Sequence, residues 1–271
     1  MNMPPIIYGT AWKKERTAEW VAQAWRTGFR GFDTACQPKH YEEPLVGQAL
    51  LTLRQQGVGR EDFYLQTKFT PLSGQDPQRL PYDPDAPLEQ QVAQSFACSL
   101  RNLHTDYLDG YVLHSPLAQY ENTLKAWRVM EEFAQQKQVR LLGISNCYDL
   151  NVLRKLHRDA VVKPALVQNR FYRESGYDQA LREWCSEQGM VYQSFWTLTA
   201  NPHLLQSSVV QAMAKRYYRT PAQILFAWLS QQGVVPLTGT TSLQHMLEDL
   251  ASFDLQLNDI ELASIAQLLV S

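Results

Sequence analysis

Short apolar runs alternate with longer amphipathic stretches along the whole chain, and this alternation constrains the fold more than any other feature. Strands are predicted at Ile6–Gly9, Phe29–Asp33, Phe63–Lys68, Tyr107–His114, Val139–Ser145, Ala165–Gln168, Val191–Phe195 and Val234–Pro236. Helical spacing of apolar residues intervenes at Ala18–Arg26, Pro44–Gln55, Leu88–Leu103, Thr123–Gln136, Leu150–His157, Gln179–Gln188 and Pro221–Gln231. Such a pattern builds a parallel sheet with crossover helices. A doubly wound open sheet is the competing architecture, and it ordinarily carries Gly-x-Gly-x-x-Gly after its first strand. Here Gly57-Val-Gly59 leads into a strand, so the reading favours an α/β fold of the (β/α)8 TIM-barrel type, one domain over residues 1–271. Asn258–Leu269 reads as an extra C-terminal helix after the barrel closes. Thr70–Pro87, rich in Pro, Asp and Gly, is expected to be a long loop covering part of the pocket.

The bulk composition is compatible with this fold and excludes several partners. A length of 271 residues suits one such barrel, for which roughly 250 is common. A formal charge of −2 without a Lys/Arg cluster gives no basic surface for nucleic acid. Neither a signal peptide nor an apolar run of the ~18 residues needed to span a bilayer is visible, so a soluble, cytoplasmic protein is expected. Cys36, Cys98, Cys147 and Cys185 lie far apart and lack metal-ligand or redox spacing. Reduced bystander thiols are the expectation.

Three residues with acid–base chemistry end predicted strands: Asp33, Lys68 and His114. Tyr41 follows Asp33 by a short loop. In a closed barrel the C-terminal strand ends converge on the face that holds the active site. An acid, an amine, an imidazole and a phenol gathered there resemble a proton relay. Each also has an ordinary explanation taken alone: a turn cap for Asp33, a rim lysine, a core histidine, a loop-packing aromatic.

The motifs around these residues resemble the aldo-keto reductase family. They run from Gly28-Phe-Arg-Gly-Phe-Asp-Thr-Ala-Cys36 and Glu43-Pro-Leu-Val-Gly through Thr67-Lys68 and Asp106–Pro116. Val139–Asn146, Pro164–Gln168, Thr220–Trp228 and Asp254-Leu-Gln-Leu continue in family order. The resemblance implies a (β/α)8 barrel that transfers hydride from a nicotinamide cofactor, usually NADPH, to a small-molecule aldehyde or ketone. It implies that Lys68, paired with Asp33, lowers the pKa of the Tyr41 phenol, the proton donor, and that His114 orients the carbonyl. A neighbouring ammonium favours phenolate, which gives this assignment its physical sense. The family tyrosine stands five positions after the aspartate, where this chain has Pro38, while counting back from Glu43 selects His40. Tyr41 and His40 are therefore both candidate acids. A cofactor-binding regulatory or sensor subunit without turnover is the alternative function.

By the same resemblance Ser145, Asn146 and Gln168 hold the nicotinamide carboxamide, and Gly9-Thr10 approaches the cofactor. Gln193 and Ser194 occupy the nominal place of a nicotinamide-stacking tyrosine, with Phe195 or Trp196 as possible substitutes. Thr238, Gly239, Thr240, Thr241 and Ser242 would meet phosphate through hydroxyls and backbone N–H groups at a helix start, with Asp249 closing the run. The stretch from Pro236 to Asp249 contains no Lys or Arg. That predicts a weaker NADPH preference than the family norm, with NADH usable. Trp12, Phe69, Tyr82, Tyr148, Arg170 and Trp196 are candidate substrate-cavity residues, a lining suited to apolar or aromatic carbonyl compounds.

Overall fold

The computed structural model describes residues 3–270 and shows eight parallel strands closed into a barrel in sequential order, β1 to β8. The strands are β1 Ile7–Gly9, β2 Gly31–Asp33, β3 Tyr64–Phe69, β4 Leu108–Leu113, β5 Val139–Ser145, β6 Leu166–Arg170, β7 Val191–Phe195 and β8 Val234–Thr238. Helices follow as α1 Thr17–Thr27, α2 Glu43–Gln55, α3 Leu88–Leu103, α4 Tyr120–Gln135, α5 Leu150–Asp159 and α6 Gln179–Glu187. The β7–β8 connection holds three helices, α7 Pro202–Gln206, α8 Ser208–Tyr217 and α9 Pro221–Gln231. Finally α10 Leu243–Leu250 and α11 Asp259–Val270 follow β8. Among the described residues no helix is long and apolar enough to cross a membrane.

The predicted strand set matches, while α7 and α8 were not anticipated. The α8 helix begins where the Ser207 side chain accepts from the Val210 N–H, a standard N-cap, and it buries Val210, Met213 and Ala214. Thr220 and Gln223 form a capping box ahead of Pro221 at the start of α9, as the sequence Thr-Pro-x-Gln implies. The terminal helix forms as expected.

The core lies between the barrel wall and the helices, and its largest side chains carry polar tips. Trp127 on α4 and Trp228 on α9 are buried and donate Nε1–H to the Val162 and Leu262 carbonyls, both at 3.0 Å. An indole gives large apolar burial without leaving its donor unsatisfied. Inside the barrel, Gly110 on β4 makes room for β3. A Cβ there would lie 2.7 Å from the Tyr64 hydroxyl and 2.8 Å from the Gln66 Cβ. This clearance matters because Tyr64, Gln66 and Lys68 alternate along one face of β3 and lead up to the site.

Closure of the barrel is equally consequential. Ile7 pairs with Leu237 and Tyr8 with Thr238, setting the loop after β1 beside the run after β8. The long 70–87 loop does not line the central cavity, contrary to expectation. It packs behind the site instead: Tyr82 Oη donates to the Thr70 carbonyl at 2.7 Å, and Gln75 Nε2 to the Cys36 carbonyl at 2.9 Å.

Candidate active site

A cavity of about 750 Å³ opens on the C-terminal face of the barrel, walled by loops that follow the strands. Its floor is polar. Lys68 Nζ lies 2.7 and 2.6 Å from the two Asp33 carboxylate oxygens and donates to the Thr34 carbonyl at 2.9 Å. Gln66 Nε2 and Gln168 Nε2 also donate to Asp33 Oδ1, at 2.6 and 3.0 Å. Gln193 links both amides, accepting from each at 2.8 Å. An ion pair this deeply buried is tolerable because its remaining capacity is filled by hydrogen bonds. Burial holds the Lys68 amine below its usual pKa, with Asp33 opposing that fall.

Tyr41 is carried over this floor by the loop that the sequence left ambiguous. His40 N–H and Tyr41 N–H both donate to the Gln37 carbonyl at 3.1 Å, so the insertion folds as a tight turn. Gln37 Nε2 ties that turn to the Gly74 carbonyl at 2.6 Å. The Tyr41 ring centroid lies 5.2 Å from Lys68 Nζ and 6.2 Å from the His114 ring. Its hydroxyl has no hydrogen-bond partner among the described residues, and the residue lines the cavity. His40 also lines the cavity, where its ring packs against Trp12 with centroids 3.9 Å apart.

The electrostatics differ from the expected phenol acidification. Burial, then the Asp33 carboxylate, pushes the Tyr41 phenol up from its ordinary value. Lys68 is already bound to both oxygens of Asp33, which offsets part of its pull on the phenol. The phenol is thus held protonated at neutral pH.

His114 is held neutral by the opposite pressure: burial, Lys68 and His40 all lower its pKa well below the usual range. Its Nδ1 lies 2.6 Å from Thr70 Oγ1. For a neutral imidazole to offer N–H to the cavity from Nε2, Nδ1 must accept the Thr70 hydroxyl proton. Thr70 was missed in the sequence, where it reads as the start of a loop. Gln66 was missed too, although two-residue alternation places it on the Lys68 face of β3.

The cofactor candidates divide. Gly9, Ser145, Asn146, Gln168, Thr238, Gly239 and Thr240 line the cavity. Asn146 adopts a left-handed backbone, φ 51°, and its Nδ2 donates to the His114 carbonyl at 2.9 Å. Thr10, Gln193 and Ser194 are fully buried beneath the lining, and Phe195 stands at the β7 end in place of the proposed Gln193 and Ser194 surface. Period-two alternation turns Gln193 into the barrel axis below the cavity floor. Thr241 lies outside the lining. Asp249 is buried behind the loop and accepts from Thr238 Oγ1 at 2.7 Å. Burial raises its carboxyl to about 6.

The run after β8 contains no cation of its own, yet one arrives from elsewhere. Lys13, on the loop after β1, donates its ammonium to the Gly239 carbonyl, and burial lowers its pKa. His245 lines the same end of the cavity. Backbone at Gly239, hydroxyls of Thr240 and Ser242, the α10 N-terminus and the Lys13 ammonium together suit a phosphate group. Amide and hydroxyl side chains at Ser145, Asn146 and Gln168 suit a carboxamide. The donor set therefore fits a nicotinamide dinucleotide.

Among the substrate candidates, Trp12, Arg170 and Trp196 line the cavity, whereas Phe69 and Tyr82 are buried in the wall behind it. Tyr148 braces the rim: its hydroxyl lies 3.3 Å from Asn146 Oδ1 and accepts the Arg170 N–H at 3.2 Å. All four cysteines are free. The neighbouring Cys36 thiol lowers the Cys98 thiol, while Cys36 itself is pushed up by Cys98 and by burial.

A parallel eight-stranded barrel with this buried Asp–Lys pair, a cavity phenol and a neutral histidine defines an oxidoreductase of the aldo-keto reductase type. Residues 5–270 match the Aldo/keto reductase family, and the chain belongs to it. It is an NAD(P)H-dependent enzyme that reduces aldehyde or ketone carbonyls. Glyoxal reductase of Bacillus subtilis strain 168 is 28% identical over 248 residues, covering 91% of this chain and 81% of that one. Methylglyoxal reductase of Escherichia coli O157:H7 is 26% identical over 270 residues, covering 98% and 90%. An aldo-keto reductase from a Medee basin deep-sea metagenome library superposes with a TM-score of 0.84 at 24% identity, covering 99% and 92%.

Proposed function

We propose that the chain is an NADPH-dependent reductase of small carbonyl compounds in which Tyr41 delivers the proton. The observation that carries this reading is the unpartnered Tyr41 hydroxyl in the cavity, flanked by the buried Lys68–Asp33 pair and neutral His114. The two reductases named above act on glyoxal and methylglyoxal, so short dicarbonyls are the first substrates to test.

When bound, the dihydronicotinamide supplies a hydride to the carbonyl carbon. The residues of this chain manage the negative charge that then grows on oxygen. His114 Nε2–H, its tautomer set by Thr70, hydrogen-bonds the carbonyl oxygen and orients it. Tyr41 Oη–H transfers its proton to that oxygen, completing the alcohol. The resulting phenolate is stabilised by the Lys68 ammonium, and solvent returns the proton. Preorganised donors of this kind act where charge develops, at little reorganisation cost. The raised phenol pKa keeps the acid loaded before reaction, and phenolate character is needed only as transfer proceeds.

NADPH is the preferred cofactor in this reading, with NADH usable. Lys13 holds phosphate from the β1 loop, partly replacing the cations missing from Pro236–Asp249. A lysine is a point charge without the bidentate fork of arginine, which moderates discrimination for the extra phosphate. The test is consumption of NADPH and NADH with glyoxal, methylglyoxal, benzaldehyde and a simple ketone. Turnover supports the reading; cofactor binding without turnover of any panel member overturns it.

A further inference from the structure

We infer that the site accepts carbonyl compounds that also carry a carboxylate, and that Arg170 is the group that recognises it. This rests on the reductase reading above and adds a substrate class to it.

Arg170 is the last residue of β6, two positions beyond Gln168, so alternation directs both side chains to the barrel axis. Gln168 joins the polar floor, and Arg170 lines the cavity above it. The intervening Asn169 faces outward, where its amide donates to the Cys147 carbonyl and Asp178.

Among the described residues the guanidinium has no anionic partner. No described carboxylate lies within ion-pair distance of it. Its Nε is shielded from solvent and makes no hydrogen bond. Asp33 is the one carboxylate among the cavity-lining residues, and Lys68 engages both its oxygens. A charged donor left unpaired in a partly desolvated place is costly, so it calls for an explanation.

The group is nevertheless held in a defined plane. Its central carbon lies 4.2 Å from the Trp196 ring centroid and 5.1 Å from that of Tyr172. Trp196 adopts a left-handed backbone, φ 55°, and remains 49% exposed. A bulky residue in that region stores strain, which tends to persist where the surrounding site needs it. The backbone of Arg170 is fixed as well, through Tyr148 and Asn146 to the His114 carbonyl. Its position is thus mechanically tied to the histidine proposed to orient the carbonyl.

Its Nη groups make no hydrogen bond to a described residue, and a guanidinium held in this plane at the cavity wall offers their paired N–H donors to a carboxylate end-on. The phosphate-type donors lie elsewhere, at Gly239, Thr240 and Lys13 near the β8–β1 seam. Arg170 has no comparable helix N-terminus or second cation beside it in the lining, which favours a carboxylate monoanion over phosphate. The indole beside it gives the rest of the molecule an apolar surface.

The test compares 4-carboxybenzaldehyde with its neutral methyl ester, which share the reacting carbonyl. The parent should reduce the acid with the higher kcat/KM. Arg170→Met should lower kcat/KM for the acid about a hundredfold, mostly through KM, and for the ester far less, with the NADPH Kd changed less than threefold. Arg170→Lys should fall between them. Calorimetric binding of 4-(hydroxymethyl)benzoate to the NADP⁺-loaded protein provides a readout independent of turnover, and it should be lost in Arg170→Met. Equal use of acid and ester by the parent, equal losses for both in Arg170→Met, or a selective loss of cofactor affinity would overturn the assignment. Absence of turnover together with Arg170-dependent binding of the benzoate would defeat the reductase reading while supporting the carboxylate site.

Discussion

Replacing Lys68 with Met separates the structural role of the buried pair from its catalytic role. Lys68 and Asp33 are 1% and 2% exposed, and the ammonium touches both carboxylate oxygens. Removing it leaves Asp33 charged and buried, with Gln66 and Gln168 as its side-chain donors. Breaking one side of a buried pair typically costs about 3–5 kcal/mol. Two amide donors survive, so Lys68→Met should lie near the lower end, at about 3 kcal/mol by the same rule. Adding Asp33→Asn removes the stranded charge, and the double variant should regain most of that loss in urea denaturation. Activity should not follow stability. Both variants should lose kcat by a factor on the order of 10²–10⁴, the usual contribution of positioned acid–base catalysis. Cofactor Kd should change little, since the ammonium acts on the transition state. Parental kcat in folded Lys68→Met, or recovery of turnover along with stability in the double variant, would refute the relay.

Thr70→Val should lower kcat about tenfold by leaving His114 Nδ1 unpaired, worth roughly one hydrogen bond, and Thr70→Ser should restore it; steady-state kinetics would show both. Lys13→Met should weaken NADPH binding about tenfold with little effect on kcat, as measured by fluorescence titration. Comparison of kcat/KM should show NADPH preferred over NADH by less than about a thousandfold, or ~4 kcal/mol, and a larger ratio would contradict the weak-discrimination argument. Carbonyl reduction should be nearly flat from about pH 6 to 9, because neutral His114 lies above its lowered pKa and protonated Tyr41 below its raised one. If His40 were the acid, kcat/KM would fall steadily as pH rose above its lowered imidazole pKa.

The barrel was legible because each strand and most helices carry their own period and punctuation. Asp33, Lys68 and His114 were legible because strand ends in this architecture share one face. Loop-borne and inward-facing residues were harder to read. Tyr41 depended on how an inserted turn folds, and that is decided by Gln37 and Gly74 contacts far apart in sequence. Lys13 reaches the phosphate run only because β1 closes on β8. Gln193 was placed by motif position, whereas alternation along β7 puts it below the cavity. The phenol's acidity was judged from Lys68 alone; burial and Asp33 outweigh that charge in the folded protein.

The central claim is that the Tyr41 hydroxyl supplies the proton, and a single-turnover comparison tests it most directly. Enzyme preloaded with NADPH is mixed with methylglyoxal, and the loss of reduced nicotinamide is followed for the parent, Tyr41→Phe and His40→Ala. Tyr41→Phe should slow the chemical step by a factor on the order of 10²–10⁴ while NADPH still binds, and His40→Ala should slow it far less. A parental rate in Tyr41→Phe, or a large loss confined to His40→Ala, would contradict the account.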